Sequence, residues 1–236
     1  MNNSAVHLQP AFILQHKKYR ETSLIIDVLT KEFGVVSILA RGVRKKKSKL
    51  AGLLLPFSAL KISYIGKSDL KTLTHAELDS LSFNLKGLSL YCGFYVNELI
   101  FLFLHKYDPY PEIYVIYLRC MMSLSNSSLD VEEALRFFEL DLIECLGYGI
   151  QLSYDNQTSS VVHAQAKYLF CGELGVVEHL EGYVGGDTLL ALDARSALNK
   201  QALYEAKQLM RQVIDFQLQG KKLKSRLVLA KIIKQL

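Results

Sequence analysis

An α+β fold is predicted from three observations. Five short runs of strand character crowd into the first 80 residues with no long helix among them, helical periodicity takes over from about Leu85, and a hairpin pattern near residue 170 precedes a long amphipathic helix. The chain is therefore read in three parts: a small β-barrel over 1–80, a helical part over 81–150, and a part over 151–236 that combines a β-hairpin with helices. Its 236 residues are half hydrophobic, enough for a sizeable core and too apolar for long disorder.

Ala11–Leu14 (AFIL) and Ser23–Leu29 (SLIIDVL) read as the first two strands, with the basic, polar stretch His16–Arg20 as the turn between them. Lys31-Glu-Phe-Gly34 closes the second strand on a glycine suited to positive φ, and the β-branched run Gly34–Ala40 (GVVSILA) is the third. Leu60, Ile62 and Tyr64 alternate with Lys61 and Ser63 in the fourth, and Gly66–Asp69 turns the chain into a fifth at Leu70–Ala76. Five short strands in this space suit a closed barrel of the oligonucleotide-binding (OB) type. Gly66-Lys67-Ser68 resembles the end of a phosphate-binding loop, but Lys61 stands where that motif needs its first glycine, so a hairpin turn is expected and no nucleotide cofactor.

Between the third and fourth strands lies the most unusual stretch of the chain. Arg41, Arg44, Lys45, Lys46, Lys47 and Lys49 put six cations in nine positions with no acid among them. Such a run cannot enter a core, because each buried ammonium would need a partner. It faces water or a polyanion. The wider charge distribution agrees: residues 1–80 carry thirteen cations against six acids (net +7), residues 81–150 four against nine (net −5), and residues 151–236 eleven against eight (net +3). A basic first part beside an acidic middle implies a polyanion partner for one surface. Membrane spanning is not expected, since the most lipid-like run, Leu99–Leu104, falls far short of the ~20 apolar residues a span needs. The first ten residues lack the pattern of a signal peptide, so a cytosolic (cytoplasmic) protein is expected.

In the middle part, Leu90, Tyr91, Phe94, Tyr95, Leu99, Leu102 and Phe103 follow helical spacing, and Tyr114, Ile116, Tyr117 and Met121 begin a second helix after Pro109 and Pro111. A third opens at Asp130, with Glu132 and Glu133 in its first turn, buries Ala134, Leu135, Phe138, Leu142 and Leu146, and ends at Gly147. Arg136 is the only cation of that helix. Residue chemistry alone favours an ordinary ion pair with Glu132, Glu133 or Glu139 over an anion anchor beside an apolar groove.

Residues 151–160 read as a linker or surface loop, followed by a hairpin of Lys167–Phe170 and Val176–His179 closed by Gly185-Gly186. A helix from about Asn199 to Leu218, with Leu203, Ala206, Met210, Val213 and Ile214 on one side, stops at Gly220. The final stretch carries Lys221, Lys222, Lys224, Arg226, Lys231 and Lys234 and no acid. Leu223, Leu227, Ala230 and Ile233 or Leu236 give it a face expected to dock. Cys92, Cys120, Cys145 and Cys171 include no C-x-x-C pair. Three lie on apolar helical patterns, so buried thiols are expected rather than disulfides or a metal site.

Several stretches together resemble the RecO family of bacterial recombination and DNA repair mediators. They are Glu21-Thr-Ser-Leu24, Phe33-Gly34 followed by Ala40-Arg-Gly-Val-Arg44, Ser48-Lys-Leu50 with Gly52 and Pro56-Phe57, Tyr91 with Tyr95-Val-Asn-Glu-Leu99, Arg136 with Phe138-Glu-Leu140 and Leu146-Gly-Tyr148, and Leu223-Lys-Ser-Arg226. The resemblance spans most of the chain and implies an amino-terminal OB-fold, a central helical domain and a carboxy-terminal portion that in some members holds a four-cysteine zinc ribbon. This chain departs there, because Cys171 is its only cysteine after Cys145. The family binds single- and double-stranded DNA, anneals strands, and works with RecR to place RecA on single strands coated by the single-strand-binding protein SSB. Some members take the acidic tail of SSB on the helical domain, which would make Arg136 its anchor. The resemblance thus implies a non-catalytic mediator, and the residues supply its grip: phosphates held by Arg41, Arg44, Lys45, Lys46, Lys47 and Lys49, helped by Lys221, Lys222, Lys224 and Arg226, with Tyr19 and Tyr64 as stacking candidates, although a tyrosine in a strand is more often core or scaffold.

Two rivals are weighed. A nuclease would need clustered carboxylates or a nucleophile with its base, whereas the acids lie mainly on polar helix faces and the six histidines are scattered. An OB-fold RNA-binding protein of the translation apparatus remains the alternative, although no feature of the sequence reads a 2′-hydroxyl.

Overall fold

The structure is a computed structural model that describes residues 5–233. The chain forms two compact units, one of Met1–Asn126 with Leu223–Leu236, the other of Ser127–Lys222.

In the first unit, β1 (Ala5–Tyr19), β2 (Ser23–Thr30), β3 (Gly34–Ala40), β4 (Ser58–Ile65) and β5 (Leu70–Ser82) close a barrel in the order β1-β2-β3-β5-β4. The one parallel pairing, β3 on β5, runs from Ser37 opposite Leu70 to Leu39 opposite Thr72. The other neighbours are antiparallel. Ile13, Ile26, Val28, Val36, Ile38 and Ile62 fill the interior. This is the OB-type barrel that strand spacing predicted. The AFIL run is apolar at every position because β1 is covered on both faces. Ala11 and Ile13 belong to the barrel core, while Phe12 stacks at 5.2 and 4.9 Å on Tyr114 and Tyr117 outside it.

Strand lengths differ from expectation at β1 and β5. His16–Tyr19, read as a turn, continues β1, with His16 opposite Ile26 and Lys18 opposite Leu24. The turn is confined to Arg20–Thr22. The Gly66–Asp69 connection is the expected hairpin turn between β4 and β5. Tyr64 is 2% exposed and packed in the barrel core with its ring edge-on to Phe33, so it offers no stacking face. Burial, reinforced by Tyr107 and Glu32, pushes its pKa up to about 12.

α1 (Gly87–Phe103) and α2 (Pro111–Ser125) complete the outer layer of this unit. On α1 the buried stripe runs through Cys92, Tyr95, Val96, Leu99 and Ile100; Phe94, expected on it, is exposed and meets Phe57 edge-on. Asn97 points inward and joins α1 to the barrel. Its amide donates to the carbonyls of Leu14 at 2.8 Å and Ile13 at 3.3 Å, and its carbonyl accepts from the Tyr117 hydroxyl at 2.8 Å. The strand register slips between Ile13 and Gln15, and the side chain takes up the Leu14 carbonyl at that slip.

α6 (Lys224–Ile233) packs back onto α1. Its first amides, those of Lys224 and Ser225, donate to the two carboxylate oxygens of Glu98 at 2.9 and 2.8 Å, an anion at a helix N-terminus supplied from another helix. Arg226 lies 5.8 Å from the centre of the Tyr95 ring. Two stretches distant in sequence, Tyr95–Leu99 and Leu223–Arg226, thus meet through bonds that span 126 and 127 residues. Leu223 is buried as expected, but Leu227 is 64% exposed and not docked. Lys234 and Leu236 lie outside the described residues, as do the side chains of Ala230 and Ile233.

The second unit begins with α3 (Val131–Cys145), whose Asp130 side chain caps the amides of Glu132 and Glu133 as its position predicts. The hairpin of β6 (Lys167–Phe170) and β7 (Val176–Glu178) gains a third strand, β8 (Val184–Gly185), giving the order β7-β6-β8. Neither β8 nor the short α4 (Gly186–Asp193) was anticipated. Gly186 marks their junction, where a Cβ would lie 2.0 Å from the His163 carbonyl oxygen. α5 (Lys200–Gln217) is capped by Asn199 and buries Ala206, Met210, Val213 and Ile214 as expected, with Leu209 more central than Leu203. The polar segment 151–160 is stitched into this unit by buried Asp155, which accepts from the amides of Gln157, Thr158 and Glu178 at 2.7, 3.0 and 2.7 Å.

Candidate nucleic-acid interface

The six cations of the β3–β4 connection project from a loop that is pinned rather than loose. Gly42 turns at φ +70°, a conformation that favours glycine. It lets the next residue, Val43, enter the barrel core at 2% exposed. Turn bonds from Lys45 N to the Gly42 carbonyl and from Ser48 N to the Lys45 carbonyl follow, and Leu54 returns the chain to the core. Arg41 just before the first of these apolar pins, and Arg44, Lys45, Lys46, Lys47 and Lys49 between them, are all exposed. One buried valine inside a cationic run is what converts a solvated string into a fixed surface.

Strand register adds to this end of the barrel. Lys18 pairs with Leu24 and Leu24 with Ala40, so the end of β1, the start of β2 and the end of β3 lie side by side. Lys17, Lys18 and Arg20 are therefore carried to the same end as Arg41. The sequence does not single them out, because it reads His16–Arg20 as a turn between two strands; the signal is the register itself. Arg44 fastens the two connections together. Its backbone N–H donates to the Thr22 carbonyl at 2.9 Å and its Nη1 to the Arg20 carbonyl at 3.1 Å. A cleft of about 1040 Å3 lies between them, lined by Tyr19, Arg20, Glu21, Thr22, Ser23, Leu39, Arg41, Gly42 and Lys45.

The remaining expected cations lie elsewhere. Lys224 and Arg226 are on α6 against α1, Lys224 exposed and Arg226 half-buried over Tyr95, while Lys221 and Lys222 are exposed at the end of the second unit. Arg136 is buried, 6% exposed, and its Nη2 donates to Glu139 at 3.0 Å. Geometry thus gives it the i,i+3 ion pair that residue chemistry favours, and covers its guanidinium. Cys92 and Cys120 are buried, Cys145 is half-buried and Cys171 is exposed, and none of the four is in a disulfide. Among the described residues no three or more His, Cys, Asp or Glu side chains converge as a metal site, and no helix is long and apolar enough to cross a membrane.

The β6–β8 sheet is held to α5 by a buried carboxylate. Glu205 on α5 accepts from the Thr188 hydroxyl at 2.6 Å, the Gly185 amide at 2.8 Å, Gln201 at 2.9 Å and Lys167 at 3.3 Å. Burial works against its charge, but these donors outweigh it and hold its pKa below the ordinary value.

Sequence comparison decides the family. The profile described as Recombination protein O N terminal matches residues 2–81, and the one described as Recombination protein O C terminal matches residues 85–227. The chain belongs to the RecO family. It is 40% identical over 226 residues to the DNA repair protein RecO of Nitrosococcus oceani, covering 94% of this chain and 92% of that protein. It is 38% identical over 240 residues to the DNA repair protein RecO of Dechloromonas aromatica, covering 99% and 97%. The corresponding protein of Methylococcus capsulatus is 37% identical over 225 residues. The barrel is therefore the OB-fold of a RecO-family DNA repair and recombination protein.

Proposed function

We propose that this RecO-family protein acts without catalysis, as a DNA-binding mediator that holds single- and double-stranded DNA by its phosphates and anneals complementary strands. With RecR it would promote RecA loading on SSB-coated single strands. The observation that carries the DNA grip is the pinned basic loop. Exposed lysines address phosphate as point charges, and six of these cations project from one loop with Lys17, Lys18 and Arg20 beside them at the same barrel end. Phosphate contacts position a strand and leave its bases free, which is what annealing requires. Lys221, Lys222, Lys224 and Arg226 are proposed as a second set of phosphate contacts.

The test is titration of labelled single-stranded DNA across salt. If roughly four to six phosphates are neutralised, log affinity falls against log salt with a slope of about −3 to −4. Replacing Lys45, Lys46 and Lys47 by Glu is expected to remove roughly two from that slope and to weaken single- and double-stranded binding together. Unchanged binding at moderate salt would end the proposal. An RNA of equal length as competitor separates this reading from an RNA-binding one. Arg136 remains the proposed anchor for the SSB tail on the condition that a tail carboxylate displaces Glu139. An Arg136→Gln variant that keeps its thermal midpoint and binds the tail peptide as the parent does would remove it.

A further inference from the structure

We propose that the cleft between the β1–β2 turn and the basic loop is an unpaired-nucleotide subsite, with Tyr19 and Arg20 as its stacking platform and Arg44 as the residue that positions it. This rests on the DNA-binding reading above and adds to it a way for the cleft to distinguish a single strand from a duplex.

Four observations converge on the cleft. Tyr19 ends β1 half-buried on the cleft wall, and the Arg20 guanidinium carbon stands over its ring, 5.3 Å from the ring centre, so a flat cation is layered on one face of a flat ring. Arg20 holds φ +49°, a left-handed conformation uncommon for a side chain of its size, and the three-residue turn keeps it there. The opposite wall carries Arg41 and Lys45, placed for phosphate, and the volume of about 1040 Å3 is at the top of the range of ligand clefts, roughly 300–1,000 Å3. Finally, Arg44 spends its backbone N–H and one guanidinium nitrogen on the carbonyls of Thr22 and Arg20, so it fixes the distance between the platform and the phosphate cations.

The physical consequence is discrimination. Cations on a loop hold the backbone of a single strand or a duplex alike. A stacking platform accepts a base only where its face is free, which a duplex does not offer without unstacking. Glu21, the one carboxylate on the wall, keeps the cleft from being uniformly cationic, so that base contact rather than added charge distinguishes it from the outer loop.

The experiment measures affinities for a single strand and for a duplex of equal length at one salt concentration, with 2-aminopurine in the single strand. Tyr19→Leu is expected to lower the ratio of single-strand to duplex affinity about tenfold, the loss of one stacked base, and to abolish the quenching of 2-aminopurine on binding. Tyr19→Phe is expected to retain both. Arg44→Lys keeps the charge but cannot reproduce the guanidinium bond to the Arg20 carbonyl, so the same ratio falls several-fold. The subsite is overturned if Tyr19→Leu keeps the parent's ratio and quenching, or if it weakens single-strand and duplex binding equally. Arg44 loses its positioning role if Arg44→Lys matches the parent. Either result is distinct from failure of the DNA grip itself, which shows as indifference to charge reversal of Lys45, Lys46 and Lys47.

Discussion

Asn97 shows how much one polar side chain fixes. It is buried, and so are its partners, two strand carbonyls and the Tyr117 hydroxyl. Removing it strands those groups away from water, and an unmade buried hydrogen bond costs more than a made one contributes. Asn97→Ala should therefore destabilise the first unit by about 2–3 kcal/mol, and Tyr117→Phe by about 1 kcal/mol, with lowered denaturant midpoints as the measurement. Equal small effects from both would show that α1 is held by its apolar stripe alone. Tyr95-Val-Asn-Glu-Leu99 resembled the family in sequence, but its physical meaning was not legible there. Asn97 sits in an apolar run where a polar residue looks misplaced, and its partners are 83 and 84 residues away.

At the scale of elements, α6 depends on a cap it does not own. Its first two amides are satisfied by Glu98, so Glu98→Ala should cost the helix what loss of a cap costs, about 0.5–2 kcal/mol. The expected outcome is faster amide exchange over Lys224–Lys231 with the barrel amides unaffected. Exchange as slow as in the parent would mean that Leu223 and Arg226 suffice. The same scale separates what was legible from what was not. β3 could be read from its bounds because Gly34–Ala40 is apolar except at Ser37 and buried on both faces. The second half of β1 could not, because Gln15–Lys18 is exposed at four successive positions and shows no alternation. α4 is eight residues long with its burial concentrated at Thr188, Leu189 and Leu192, too short for periodicity to declare itself. The basic loop was legible as charge, while its rigidity was hidden in Val43.

The molecule as a whole is two compact units joined so that the chain begins in one, passes through the other from Ser127, and returns at Leu223. No alternation or motif announces that return, which is why the division at 80 and 150 expected from periodicity cuts the helices differently from compactness. Within the second unit, two buried carboxylates tie distant stretches of chain together. Glu205 is inside α5, where an acid reads as solvent-facing, and its partners Thr188, Gly185 and Lys167 are 17, 20 and 38 residues away. Asp155 is held in the same way, its burial outweighed by the amides of Glu178, Thr158 and Gln157. Both pKa values are depressed in the folded state. Each carboxylate therefore contributes stability that is fully present above its unfolded value and lost as pH falls through the folded one. Glu205→Gln replaces an acceptor of four donors by an amide that must turn a donor toward one of them, at a cost of about 2–3 kcal/mol near neutrality. That difference from the parent should begin to narrow below about pH 4.5, the ordinary glutamate value at which the unfolded parent takes up a proton, and close as pH falls through the lower folded value. Denaturation of the two proteins followed from pH 7 to pH 3 measures it. A gap of constant size would show that the side chain's shape, not its charge, holds β6 and β8 to α5.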